Sequence, residues 1–223
     1  KRQIVMRYFN TLPSIVQPDV NNNIITVNNL LTRAYLLPAL QKNIMLFYDY
    51  TIKEGDTPEN LAYRYYNDVY RYWIVLYSNG IIDPQSQWPL NNTQLSDYMF
   101  DKYKLKVADE LNIAANTVTQ SQVFSYVSSA VHHYEKKITT WNSSDDEKQS
   151  STIFIDLETY NDTEVGTKTK SLNGVFIYEQ TEKLPVSILN YEMDNNESKR
   201  NIQLMKDVFA TEAERQLKML MGS

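Results

Sequence analysis

Tyr48 to Lys53, YDYTIK, alternates side chains as a half-buried strand does, and Glu54-Gly55-Asp56 makes a turn after it. Thr57 then stands as an N-cap with Pro58 at the first helical position, where the missing N–H costs nothing. Leu61, Ala62 and Tyr65 form the inner face of this short helix. Past Asn67-Asp68, the residues Val69, Tyr72, Trp73 and Leu76 recur with the spacing of one face of a second helix. Asn79-Gly80 supplies a left-handed helix end, and Ile81 and Ile82 begin an extended segment. The pattern predicts strand, helix, helix, strand.

Before this unit, Pro13 and Pro18 break any early helix, Asn21-Asn22-Asn23 reads as a turn, and Ile24, Ile25 and Val27 read as a short strand or extended arm. LLTRAYLLPALQ is briefly helical until Pro38. With little to bury locally, the arm is expected to lie across another subunit or the rest of the fold. After the unit, QLSDYMFDKYKLKVADEL and QSQVFSYVSSAVHHYEKKI read as helices, and the polar NSSDDEKQSS as a linker. TIFIDLETY, GVFIYEQ and PVSILNYEM are candidate strands, with NDTEVGTKTKSLN as a long hairpin loop. The C-terminus predicts a helix with Ile202, Met205, Phe209, Leu217 and Leu220 on one stripe and Glu214 paired to Lys218. The fold class is α+β. Its five segments are an N-terminal arm (1–47), the compact unit (48–84), a helical region (85–141), a linker with an antiparallel β region (142–200) and a C-terminal amphipathic helix (201–223).

Composition narrows the function. The net charge of −5 shows no basic stripe, which speaks against nucleic acid as partner. The longest apolar runs fall far short of the ~20 residues that cross a bilayer, so no membrane role is expected. With no cysteine there is no disulfide, thiolate nucleophile or Cys-based zinc site. No phosphate loop or nucleophile motif occurs. His132 and His133, read as helical neighbours, would point about 100° apart and hold no common metal. Asp145-Asp146-Glu147 lacks the spacing of a calcium loop, and Asp156 with Glu158 reads as an exposed strand face. No catalytic residue, metal, cofactor or small-molecule substrate is assigned, and an enzyme is not expected. Tyrosine is the outlier at 17 copies, a residue type that both cores and interfaces use.

The run YTIKEGDTPENLAYRYY, closed by NGII, resembles a LysM module, a βααβ fold that holds N-acetylglucosamine polymers between two turns. The resemblance assigns that groove to Gly55, Asp56 and Thr57 on one side and Asn79, Gly80, Ile81 and Ile82 on the other. Two departures are visible: the segment YYNDVYRYW between the helices is long and aromatic, and DPQSQWPLNN replaces the usual closing strand. More widely, MRYFNTLPSI, the LysM-like unit, QWPL and VHHYEKK are similar to the LysM-containing baseplate wedge subunit of contractile-tailed bacteriophages, over Met6 to Lys137. This implies a virion structural protein, assembled in the host cytoplasm, that joins wedge and hub proteins and neighbouring wedges around a sixfold ring. Tyr63, Arg64, Tyr66, Tyr70, Arg71 and Tyr77 lie off the inner helix faces and are the candidate interface, because Tyr and Arg dominate hot spots. A LysM-type peptidoglycan- or chitin-binding module and another LysM-like tail-terminal protein are the alternatives.

Overall fold

The computed structural model describes residues 8–32, 43–143, 145–172 and 175–221. Along the chain come β1 (Ser14–Pro18), β2 (Ile24–Asn28), β3 (Phe47–Thr51), α1 (Pro58–Tyr66), α2 (Tyr72–Ser78) and α3 (Pro84–Gln87). Then follow α4 (Asn92–Leu111), α5 (Gln120–Ser129), β4 (Val131–Asn142), β5 (Asp145–Ile155), α6 (Leu157–Asp162), β6 (Gly166–Leu172) and β7 (Val175–Ser187). The last are α7 (Ile188–Ser198), β8 (Asn201–Met205) and α8 (Asp207–Met221). The arrangement is α+β with small antiparallel sheets. The chain divides into two units, one of residues 1–91 with 197–223 and one of residues 92–196.

In the first unit, Thr57 caps α1 by accepting the Asn60 N–H, and Asn67 ends it in a left-handed conformation. Asp68 caps a short 3₁₀ turn, Val69–Arg71, which leads into α2, so Val69 is exposed rather than on a buried helix face. Ile81 and Ile82 do not form the predicted strand. Asp83 caps α3 there, and β3 pairs instead with β8, Phe47 opposite Met205 and Thr51 opposite Asn201. The predicted C-terminal helix therefore begins later than residue 201, with Ile202 and Met205 in a strand and Leu220 exposed. Leu61, Ala62, Ile74, Val75, Leu204 and Ala210 sit at the centre of this core. Each large aliphatic among them is worth about 1.5–3 kcal/mol in burial.

β1 and β2 form a separate two-stranded hairpin within the same unit. The helix expected beyond Leu30 falls on residues 33–42, outside the described residues.

The second unit holds a sheet in the order β5-β4-β7-β6. Here three local readings give way to strand pairing. The helix through VHHYEKKI ends at Ser129, because β4 pairs with β7 along its length. The polar linker belongs largely to β5, whose Gln149, Ser150 and Ser151 face Thr140, Thr139 and Ile138 of β4. An edge strand is held by its backbone ladder and tolerates polar side chains that a buried strand would not. Within the supposed long loop, Gly166–Leu172 is β6, while ILNYEM turns helical as α7. Val107, Val123, Val127 and Ile188 are buried in this unit, and the buried Glu192 carboxylate accepts Lys102 Nζ at 2.7 Å and Tyr103 Oη at 2.6 Å.

Residues 1–91 expressed without the C-terminal segment lose β8 and α8, which cover Leu61, Ile74 and Val75. They are expected to show no cooperative thermal transition by circular dichroism; a sharp transition would show that the contiguous segment folds alone.

Candidate functional site

The two turns of the predicted groove are built by local rules. Gly55 has φ +81° and Gly80 φ +65°, conformations that glycine adopts without strain. Between Gly55 and Thr57, the Asp56 side chain is only 6% exposed. One carboxylate oxygen accepts Arg64 Nη2 at 2.6 Å, and the other accepts Tyr50 Oη at 2.7 Å and the Lys53 N–H at 3.0 Å. Burial opposes ionisation of Asp56, but these donors overcome it and hold its pKa below the ordinary carboxylate value. At the second turn, the Asn79 side chain replaces a β-strand partner: Nδ2 donates to Gln203 O at 2.9 Å, and Oδ1 accepts Gln203 N–H at 2.7 Å. Ile81 is buried and Ile82 exposed.

The chain's own α3 segment runs from one turn to the other. Gln87 Oε1 accepts the Ile82 and Asp83 N–H groups at 2.7 and 2.9 Å, and the following Trp88 donates its indole N–H to Asp56 O at 2.9 Å. A cavity of about 540 Å3 lies beside Asn79, Tyr50 and Gln203, and another of about 510 Å3 beside Gly80 and Ile81. Neither is lined by Gly55, Asp56 or Thr57.

The six candidate interface residues split. Tyr63 is 59% exposed and Tyr70 37%, and the Arg64 side chain is largely exposed although tied to Asp56. Tyr66 points inward and donates to Met205 O at 2.8 Å, and burial raises its phenol pKa well above the usual value. Tyr77 donates to Tyr8 Oη at 2.6 Å. Arg71, expected on an open helix face, is 11% exposed and clamps α8. Its Nε and Nη2 grip the two Glu214 carboxylate oxygens at 2.9 and 3.1 Å, and Nη1 meets Asp207. Helical periodicity marks the faces of α1 and α2 but not the distant α8 that covers them, and Glu214 serves Arg71 rather than Lys218.

Sequence reasoning missed Tyr48, 55% exposed, with Lys206 Nζ 4.9 Å from its ring centre. Strand alternation contained the signal, since Phe47 beside it is buried. His132 and His133 lie on β4 rather than a helix, with Nδ1 atoms 2.8 Å apart and His132 stacked on Tyr191 at 3.7 Å. Asp156 caps α6 instead of standing on a strand face. Among the described residues, no group of three His, Cys, Asp or Glu could hold a metal ion, and no helix is long and apolar enough to cross a membrane.

The family model described as "Base plate wedge protein 53" matches residues 19–215 of the chain. No curated protein matches it.

Arg71→Ala leaves Glu214 enclosed without its partner, so unfolding free energy should fall by about 2–4 kcal/mol, with Arg71 and Glu214 strongly coupled in a double-mutant cycle. Unchanged stability would contradict the clamp. For Asp56, the folded pKa lies below the unfolded value of about 4, so its contribution is full above that pH and is lost as pH falls through the folded value. The difference in melting temperature between wild type and Asp56→Asn should therefore narrow in acid; a gap constant to about pH 2 would exclude this linkage.

Proposed function

This chain belongs to the phage base plate wedge protein 53 family, and on that premise we propose that it links neighbouring wedges through protein–protein contacts made by its first unit. The family gives the coarse role, a structural protein of the phage tail baseplate that associates with other baseplate proteins. The finer reading adds a contractile tail, wedge and hub partners and closure of a sixfold ring. It also takes the set β3-α1-α2-β8 as a LysM-like module whose closing strand comes from beyond the second unit.

The observation that carries the linking role is the outward placement of Tyr48 and Tyr63 on a unit that uses Tyr8, Tyr66 and Tyr77 inside. Exposed rings of this kind bury a large area at little entropic cost when a partner covers them. Glycan binding is disfavoured by Trp88 and α3, which occupy the path between the two turns.

Tyr63→Ala should leave the melting temperature of the free chain unchanged and reduce its incorporation into baseplates, at about 2 kcal/mol or more for an anchoring ring. Normal incorporation would remove this residue from the interface. Calorimetry with a chito-oligosaccharide should show binding no tighter than about millimolar, worth roughly 4 kcal/mol. Micromolar affinity would favour the glycan-binding alternative.

A further inference from the structure

The β1–β2 hairpin offers a surface distinct from the tyrosines. Its turn is closed by side-chain bonds: one Asp19 carboxylate oxygen accepts the Asn21 and Asn23 N–H groups at 2.8 Å each, and Asn22 has φ +64°. Asp19 N donates to Asn23 O, and at the other end Asn29 N donates to Pro13 O. Bonded and non-bonded pairs alternate along an antiparallel ladder. With the register Gln17–Ile25 and Ile15–Val27, that alternation turns the N–H and C=O groups of Ile24, Thr26 and Asn28 away from β1. The equivalent outward positions of β1 are Ser14, Val16 and Pro18, and Pro18 has no N–H. One edge of the ribbon is interrupted by proline and the other is complete. Elsewhere in the same unit, Asn79 covers the backbone of Gln203 on β8.

The side chains agree with the backbone. Val16 and Ile24, on one face of the ribbon, are 68% and 79% exposed, and Val20 at the tip is fully exposed. Asp19 is the ribbon's single charged residue, and its carboxylate is engaged in the turn. Leu30, two residues beyond β2, joins Phe9 and Ile82 in the lining of the 510 Å3 cavity, whose described lining contains no charged side chain. Asn28 Nδ2 donates to Phe9 O at 2.9 Å and ties the base of the ribbon to this cavity wall.

We propose that the outer edge of β2, Ile24–Asn28, receives an extended, uncharged segment of another baseplate protein as an added strand. The inference rests on the baseplate reading above. An unfilled row of alternate N–H and C=O groups is matched by extended backbone. The lack of charge along ribbon and cavity leaves a charged segment without a counter-ion and makes its burial costly. A two-stranded ribbon is marginal alone, and an added strand covers its β-branched side chains.

The test uses Thr26→Pro, which removes one outward N–H and spares the bonds to β1, and Thr26→Lys, which keeps the backbone but places a charge on the edge. Ser14→Pro makes the same backbone change on the opposite edge. Each full-length chain is mixed with baseplate wedges purified from cells infected by phage lacking this protein, and co-sedimentation is measured. Wild type and Ser14→Pro should bind alike, with little change between roughly 50 and 500 mM salt. Both Thr26 variants should bind at least ~10-fold more weakly, a loss of about 1.4 kcal/mol or more, with unchanged melting temperature. Wild-type binding by the Thr26 variants, or an equal loss in Ser14→Pro, overturns the proposal. Self-association of the free chain that Thr26→Pro abolishes would assign the edge to a second copy and overturn it too. If wild type itself fails to join the wedges, the baseplate-linking reading falls as well; if only the contrast between variants fails, that reading stands.

Discussion

The pairing of β3 with β8 is the contact on which the first unit depends. Thr51 and Asn201 are 150 residues apart, yet their side chains meet at 3.2 Å across this two-stranded sheet. Closing so long a loop costs only slowly more entropy as the loop grows, so a whole folded unit can stand between the two strands. β8 brings α8 with it. That helix contributes Ala210 and Leu217 to the core and presents Glu214 to Arg71. Without it, the inward sides of α1 and α2 would be apolar surface in water, and Arg71 would have nothing to grip.

The concentration of tyrosine follows from the same geometry. A phenol is useful inside only where its hydroxyl finds a partner. Tyr66 finds the Met205 carbonyl, Tyr77 finds Tyr8, and Tyr50 finds Asp56. These three bonds tie the helices to β8, the 3₁₀ turn Tyr8–Thr11 to α2, and β3 to the turn after it. Tyr48 and Tyr63 leave more than half of their surface exposed, and it is these rings that the proposed assembly surface uses. One residue type thus serves the core and, under the proposed function, the assembly surface as well.

The sheets treat their edges differently. Asn79 closes part of β8, and Pro18 interrupts β1. β5 carries the polar Gln149, Ser150 and Ser151 before the exposed Ile153 and Phe154. β2 has neither a proline nor a charge along its length.

Local chemistry was legible in the sequence. The Thr57 cap, Pro58 start, Asn79-Gly80 end and inner residues Leu61, Trp73 and Leu76 are set by backbone and helix rules that act over a few residues, and each has the expected role. The α+β class was legible from the local element patterns, and the baseplate family from the resemblance of runs such as YTIKEGDTPENLAYRYY. Tertiary structure alone decided which strand closes the core, since Ile81-Ile82 and Asn201–Met205 are both short and apolar and only packing chooses between them. It decided that the polar stretch before Ser151 is a strand, because ladder bonds leave no hydrophobic signature. It also turned Arg71 inward: a helix position can be read as facing away from one core, but whether a residue 143 positions later arrives to cover it is a property of the folded chain.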